Sequence, residues 1–377
     1  MSRSVPLIAL GIFLFLLSGC WDSQDLEDLS IPLAAAYDLH IPGSTSPTDP
    51  PAVAGRMLVD LTTLTPNLSP KASEPVNIAT FSGITIADTR ERRGLTDAGI
   101  YETGINQILV LGDDLARQGL NPYMDALWRG AEIRGTLFMA VAEGRGENII
   151  KTPINNYDNI GLYLMALFNG LEKRTIIPVT NLVEFYVEQA SGKNPVVPIL
   201  ERKDDRVVIT GTALFRKDRM VYKLGLEESH DLVLLRGLKG ERFLSFAVPE
   251  GGMVYRGTAL VSNSRKVKYN LSNGIHRFII AIELRGTLQE YSRQGVIDKN
   301  QLNIIEESIE KEVKGQCESF IKKMQNELRL NCIDISKYAL AKDRKALSDS
   351  IDNPDFIENA DIRVEVKVRL KNTGEMR

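Results

Sequence analysis

From Leu302 onward the apolar positions Ile305, Ile309, Val313, Cys317, Phe320, Met324 and Leu328 recur every three or four residues, which draws one stripe along a single long helix. Its other side carries Glu306, Glu310, Lys314, Lys322 and Glu327 and reads as a solvated face. The segment "DIRVEVKVRL" behaves differently: Ile362, Val364, Val366, Val368 and Leu370 alternate with Arg363, Glu365, Lys367 and Arg369. Period two with charges on one side predicts a strand with one face buried and one wet. "GMVYRGTALVSN" and "HRFIIAIELRGTLQEY" add antiparallel strands, the second alternating Phe278, Ile280, Ile282 and Leu284 with more polar residues. Upstream of them, "VVITGTALFRKDRMVYKL" predicts two strands about a polar turn at Lys217-Asp218, and "EESHDLVLLRGL" a helix.

The N-terminal half is less regular. Leu26 to Asp38 is short and mixed, and the four prolines between His40 and Pro51 exclude regular structure and predict a surface loop. "GRMLVDLTTL" alternates Met57, Val59 and Leu61 with polar or small residues, as a half-buried strand does. A strand is expected at Gln107 to Leu111, then a short helix capped by Asp113 and ended by Gly119. A helix from Pro122 to Arg129, a strand from Gly135 to Ala142 and helices over Ile160–Leu171 and Val179–Ala190 follow. The turn residues, prolines and charges of "SGKNPVVPILERKDD" place a boundary near Leu200. The expected class is α+β: a multi-domain chain of antiparallel sheets flanked by helices, with the long C-terminal amphipathic helix packed on a sheet. Modules of 20–200 and 201–377 are expected, the second divisible near 252.

The first nineteen residues stand apart. Val5 to Leu17 is apolar all round but only thirteen residues long, with Pro6 and Gly11 inside it and Arg3 ahead. Crossing a bilayer takes roughly 20 residues, so the run reads as a secretory signal peptide. It ends in Leu17-Ser18-Gly19-Cys20 where an ordinary signal would end in Ala-x-Ala. Small residues before a cysteine suit a lipoprotein peptidase, and the Cys20 thiol can take a diacylglyceryl group as a thioether. Cys20 is therefore expected to be the lipidated first residue of the mature chain.

Composition narrows the partners. The hydrophobic and charged fractions, 43% and 25% of 377 residues, are those of a globular protein, and a formal net charge of −3 argues against nucleic acid. Cys317 and Cys332 would lie roughly 20 Å apart if the helix between them is continuous, too far for a disulfide, and read as small packed hydrophobes. His40, His230 and His276 have no second His or Cys at ligand spacing, so neither metal nor cofactor is expected. "GRGENI" from Gly144 lacks the third glycine and the Gly-Lys-Ser ending of a phosphate loop and reads as a plain turn. The neighbouring carboxylates Asp113-Asp114, Asp204-Asp205 and Glu306-Glu307 read as solvated charges, and no nucleophile elbow occurs. The expectation is a protein that is not an enzyme.

Five blocks, taken in order, resemble the Ger(x)C family of spore-germination lipoproteins: Cys20-Trp21-Asp22 with Asp25-Leu26, Leu29 and Asp38, "ILVLGDDLARQGL", "LWRGAEIRGTLFMAVAEG", "GTALFRKDRMV" and "VEVKVRLKNTG". The chain departs at Arg129-Gly130-Ala131, where the family commonly has Arg-Asp-Pro, and at "NCIDIS". The resemblance implies the C subunit of a nutrient germinant receptor, a lipoprotein on the outer leaflet of the inner spore membrane assembled with the membrane-embedded A and B subunits. It transfers one functional position, Cys20. The alternative with the same leader and size is a solute-binding lipoprotein of a transporter, which would fold as two doubly wound lobes.

Overall fold

The computed structural model describes residues 28–41, 58–69, 71–97, 99–129, 133–342 and 354–372. Their strands, in chain order, are β1 (Leu29–Ser30), β2 (Ala34–Leu39), β3 (Val59–Pro66), β4 (Val76–Gly83), β5 (Ile100–Tyr101), β6 (Ile108–Leu111), β7 (Phe138–Ala142), β8 (Val196–Lys203), β9 (Arg206–Arg216), β10 (Arg219–Gly225), β11 (Glu241–Glu250), β12 (Met253–Ser272), β13 (Ile275–Tyr291) and β14 (Asp361–Asn372). The helices are α1 (Ile86–Arg93), α2 (Asp113–Gln118), α3 (Asn121–Arg129), α4 (Gly146–Ile150), α5 (Ile160–Arg174), α6 (Leu182–Ala190), α7 (Leu226–Arg236), α8 (Lys299–Lys323), α9 (Ser336–Leu340) and α10 (Pro354–Glu358).

Eight strands build one sheet in the order β10-β9-β8-β7-β6-β2-β3-β4. Its inner strands β2, β6, β7 and β8 run parallel, and the strands flanking them are antiparallel. On one face α4 and α5 set Ile149, Ile150, Leu164 and Phe168 against Ala34, Ala36, Ile108 and Val110. On the other α2, α3 and α6 set Leu115, Tyr123, Leu127 and Phe185 against Ala35, Tyr37 and Leu109. With both faces covered, β2 is buried from Ala34 to Asp38 and has no polar alternation to betray it, which is why this stretch reads as mixed. The expectation of a half-buried strand at Val59 and Leu61 is corrected for the same reason. β3 is buried from Val59 to Thr65, its polar Thr62 bonded to Thr80 at 3.0 Å between hydroxyls. Met57 and the prolines expected to form a surface loop lie outside the described residues.

β4 and α1 carry no clear period in the sequence. α1 nevertheless starts at a recognisable cap: Thr85 Oγ1 accepts from Asp88 N at 3.1 Å. The cap expected of Asp113 is corrected. Gly112 takes the cap position of α2 without a side-chain bond, and Asp113 instead pairs with Arg117 and Lys223. The predicted start at Val179 moves to Asn181, which with Glu184 makes a reciprocal capping box at α6.

The second sheet has the order β11-β12-β13-β14, antiparallel except for the last pair. α8 lies on its inner face, with Ile305, Ile309, Val313, Cys317 and Phe320 buried against Phe278, Ile280, Ile282, Val364 and Val368. The stripe therefore packs as its spacing predicts, and a π-helical turn, Met324–Leu328, continues it. The opposite face is only partly solvated. Glu310 Oε1 accepts from Val368 N at 2.9 Å and Glu306 Oε1 from Leu370 N at 2.6 Å, so these carboxylates occupy amides on the free edge of β14. An edge strand left open invites another chain to pair with it, and two acceptors here remove that template.

Cys317 and Cys332 are both free and buried. Burial pushes the Cys317 thiol up, and that of Cys332 up to about 12, so both stay protonated and unreactive. β12 and β13 extend beyond the predicted strands to a tight turn in which Asn273 (φ 53°) and Gly274 (φ 74°) both take the left-handed region, as a type I′ hairpin requires.

Candidate functional site

β2 and β6 lie side by side and parallel, yet between them the chain visits β3 and β4 on the far flank, so the strand order reverses at this pair. Open α/β sheets hold ligands outside the carboxyl ends of strands at such a point. Here the chain fills the place itself. Asp38, near the end of β2, accepts from Gly146 N at 2.7 Å and Glu147 N at 2.9 Å, the amides that open α4. A Cβ on Gly112, at the end of β6, would stand 2.1 Å from Asp38 Oδ1, so only glycine allows the approach.

A second carboxylate completes the cluster. Arg145 Nη2 donates to Asp60 Oδ2 at 2.9 Å and Nη1 to Leu39 O at 2.9 Å. Asp60 Oδ1 accepts from Ser82 Oγ at 2.8 Å and lies 2.8 Å from His40 Nδ1. The Asp38 and Asp60 side chains are each 2% exposed. Burial pushes the Asp38 carboxyl up, while the two amides and Arg145 pull the other way. The plain turn expected of "GRGENI" is corrected: its arginine and its amides hold two buried carboxylates. With the oxygens of Asp38 and Asp60 already partnered, the cluster fastens β2, β3 and α4 together.

A cleft of ≈ 770 Å³ opens where the end of α5 meets α7 and β11, lined by Arg174, Ile176, His230, Asp231, Arg242 and Phe243 among others. Burial raises the Asp231 carboxyl to about 7, with Arg242 opposing. Burial lowers Arg242 in turn; its Nη1 donates to His230 O at 3.5 Å, and its buried Nε finds no partner among the described residues. This pair can hold a proton near neutrality beside a cation. The linkage has a definite sign: a carboxyl raised above its unfolded value stabilises the fold below about pH 4 and loses that contribution as pH rises through about 7. Asp231→Asn should therefore raise the urea midpoint at pH 8 relative to the parent and leave it little changed at pH 4, a gain of about 1–2 kcal/mol after screening by nearby solvent. Midpoints that move together at both pH values would refute this.

The residues singled out by sequence do not converge. Cys20 lies outside the described residues. His40 joins the Asp60 cluster, His230 lines the cleft, and His276 stacks on Tyr269 and lies tilted against Phe356, so the three serve separate places. Burial would raise the Asp113 carboxyl, but Lys223 and Arg117 outweigh it and hold it below the ordinary range, so the solvated reading is corrected there and at Glu306. Asp204 and Asp205 sit on an exposed turn as expected. The sequence marked Asp38 only as part of the family-like opening and Arg145 only within "GRGENI", and did not single out Asp60; the further signal available was one aspartate in each of the strands "AAAYDL" and "VDLTTLTP". Among the described residues no group of three or more His, Cys, Asp and Glu could hold a metal, and no helix is long and apolar enough to cross a membrane.

Comparison with known proteins settles the family. Residues 22–202 match the spore germination protein N-terminal domain, and residues 210–374 match the spore germination B3/GerAC-like C-terminal domain. The chain belongs to the Ger(x)C family. Among the relatives of this Ger(x)C protein, the spore germination protein GerQC of Bacillus cereus is 21% identical over 328 residues, 86% of each chain. The spore germination protein B3 of Bacillus subtilis (strain 168) is 21% identical over 339 residues, again 86% of each. The crystal structure of the GerBC protein superposes with a TM-score of 0.59 at 17% identity, covering 92% of this chain and 100% of that one. The mixed α+β architecture, with the α8 helix on its sheet, is thus the fold of a solved relative.

Proposed function

We propose that this chain is the lipid-anchored accessory subunit of a nutrient germinant receptor, needed for that receptor to assemble or to signal in spore germination. The observation that carries the proposal is a juxtaposition: the family match starts at residue 22, immediately behind the lipobox Leu17-Ser18-Gly19-Cys20. Peptidase cleavage before Cys20 would leave residues 20–200 and 201–377 as the N-terminal and C-terminal modules of the mature protein, although β8 carries strand structure across that division. A single acyl chain holds a protein only marginally, so two or more on Cys20 would keep it on the outer leaflet. Its partners there are the membrane-embedded A and B subunits. Tethering beside them raises their effective concentration, and a modest interface then suffices. The self-filled switch point of the large sheet and the largely antiparallel second sheet favour this reading over a two-lobed solute-binding protein.

Cys20→Ala tests the anchor. Metabolic labelling with a fatty acid should mark the parent and leave the variant unlabelled, with the variant largely lost from the membrane fraction. Equal labelling of both would overturn the anchor. A tagged parent recovered from gently solubilised spore membranes without any polytopic partner would overturn the subunit role.

A further inference from the structure

The β12–β13 hairpin projects past the core of the second sheet, and its tip has the wrong surface for free solvent. Leu271 and Ile275 flank the Asn273-Gly274 turn and are 53% and 42% exposed, with Ile279 behind them at 36%. Leu271 pairs in register with His276 and Ile275 with Ser272, so the two side chains leave opposite faces of the ribbon and cannot cover one another. A rigid type I′ turn bearing aliphatics on both sides makes a wedge.

Cations surround the wedge. Lys266 and Lys268 are exposed on β12 and enter no ion pair among the described residues. Arg277 on β13 and Arg363 on β14 are also exposed, and Lys342 donates to Tyr269 O at 3.0 Å at the foot of the tip. Against these five stands one close carboxylate, Asp361, shared between Arg277 at 3.7 Å and Arg363 at 3.2 Å. On neighbouring α10, Asp355 and Glu358 are engaged by Arg329. Glu365 stands in the same register row as Lys266, across Ala281, and Glu283 stands one pair further on, opposite Ser264, where Arg285 and Arg369 engage it. The tip is therefore cationic in a chain whose formal net charge is −3.

We propose that this hairpin tip docks on an anionic lipid bilayer, with Leu271 and Ile275 entering the interface and Lys266, Lys268, Arg277 and Arg363 meeting the headgroups. An acidic protein surface could match the cations, but it would leave the two-sided aliphatic wedge without a slot. A bilayer interface receives both, since aliphatics partition below the headgroups while lysine and arginine reach up to them. The proposal deepens the membrane-anchored reading and rests on it for its setting: from Cys20 to Asp28 the chain spans at most about 30 Å, which keeps the fold within reach of the surface that holds the anchor. A second contact would fix its orientation there.

The test uses the chain from Trp21 to Arg377, which contains every described element and lacks the anchor, so its outcome is separate from that of Cys20→Ala. In sedimentation with vesicles, the parent should bind vesicles containing phosphatidylglycerol and ignore pure phosphatidylcholine, with affinity falling as salt rises. The pair Lys266→Ser and Lys268→Ser should weaken binding about 25-fold, at about fivefold per lysine. Leu271→Ser with Ile275→Ser should weaken it at least about tenfold. These exposed changes should leave thermal melting unaltered. Absence of parental binding to anionic vesicles, equal binding to both vesicle types, or binding untouched by the lysine changes would overturn the proposal, as would loss of partner subunits on mutating the tip without any loss of vesicle binding.

Discussion

Ile309→Asp is expected to unfold the C-terminal half. Ile309 is 1% exposed, wedged between α8 and the second sheet. Losing its side chain costs about 2–5 kcal/mol in packing, and an unpaired carboxylate in the same place adds several more. Set against a total of about 5–15 kcal/mol for a domain, that is enough to abolish the folded population. Lys314→Glu, on the outer side of the same helix, alters an exposed pair with Glu318 and should shift stability by about 0.5 kcal/mol or less. Glu310→Lys falls between them at about 1–2 kcal/mol, because it strips an acceptor from Val368 N and a partner from Lys367. Urea denaturation followed by circular dichroism reads all three. Comparable midpoints for Ile309→Asp and Lys314→Glu would remove α8 from the core.

The second large effect is expected at Arg145. Arg145→Ala withdraws the guanidinium from Asp60, leaving two carboxylates, each 2% exposed, without their nearest cation. Breaking a buried pair from one side costs about 3–5 kcal/mol. Arg145→Lys should recover only part of this, since an ammonium cannot serve Asp60 Oδ2 and Leu39 O as a rigid fork does. Asp60→Asn made together with Arg145→Ala should restore part of the loss, because it removes the charge that was stranded. A double variant no more stable than Arg145→Ala alone would show that the cluster holds by shape and not by charge.

Where a residue pattern has one buried and one wet side, the sequence announces the element, and α8 and β14 pack as their periods require. The inner strands of the large sheet have no wet side. Ala34, Ala35 and Ala36 are all buried, two against α4 and α5 and one against the helices opposite, so no alternation survives to be read. The Asp38, Asp60 and Arg145 cluster was hidden for another reason. Arg145 lies 85 residues from Asp60 along the chain and Gly146 lies 108 from Asp38, on a helix start and two strands, and only the sheet order brings them together. An aspartate next to apolar residues in "AAAYDL" and "VDLTTLTP" was a trace of it, since a buried carboxylate must find donors. Glu306 and Glu310 were legible as acidic but not as edge caps, because which edge α8 borders depends on β14 running parallel to β13.

One consequence follows from the segment between Val196 and Arg236. It finishes the eight-stranded sheet with β8, β9 and β10, and then α7 lays Leu232, Leu234 and Leu235 into the same core as Phe278 and Ile309. Val196, Leu214 and Leu224 of the first sheet are part of that core as well. Arg216 reaches Arg329 O at 3.1 Å and Asn194 reaches Asn331 O at 3.1 Å across the same seam. Two bodies joined by a bare linker swing independently, whereas a large apolar seam stitched by shared elements resists rotation. Rotation of one sheet against the other would accordingly have to open this shared apolar core, so the two are expected to tilt together.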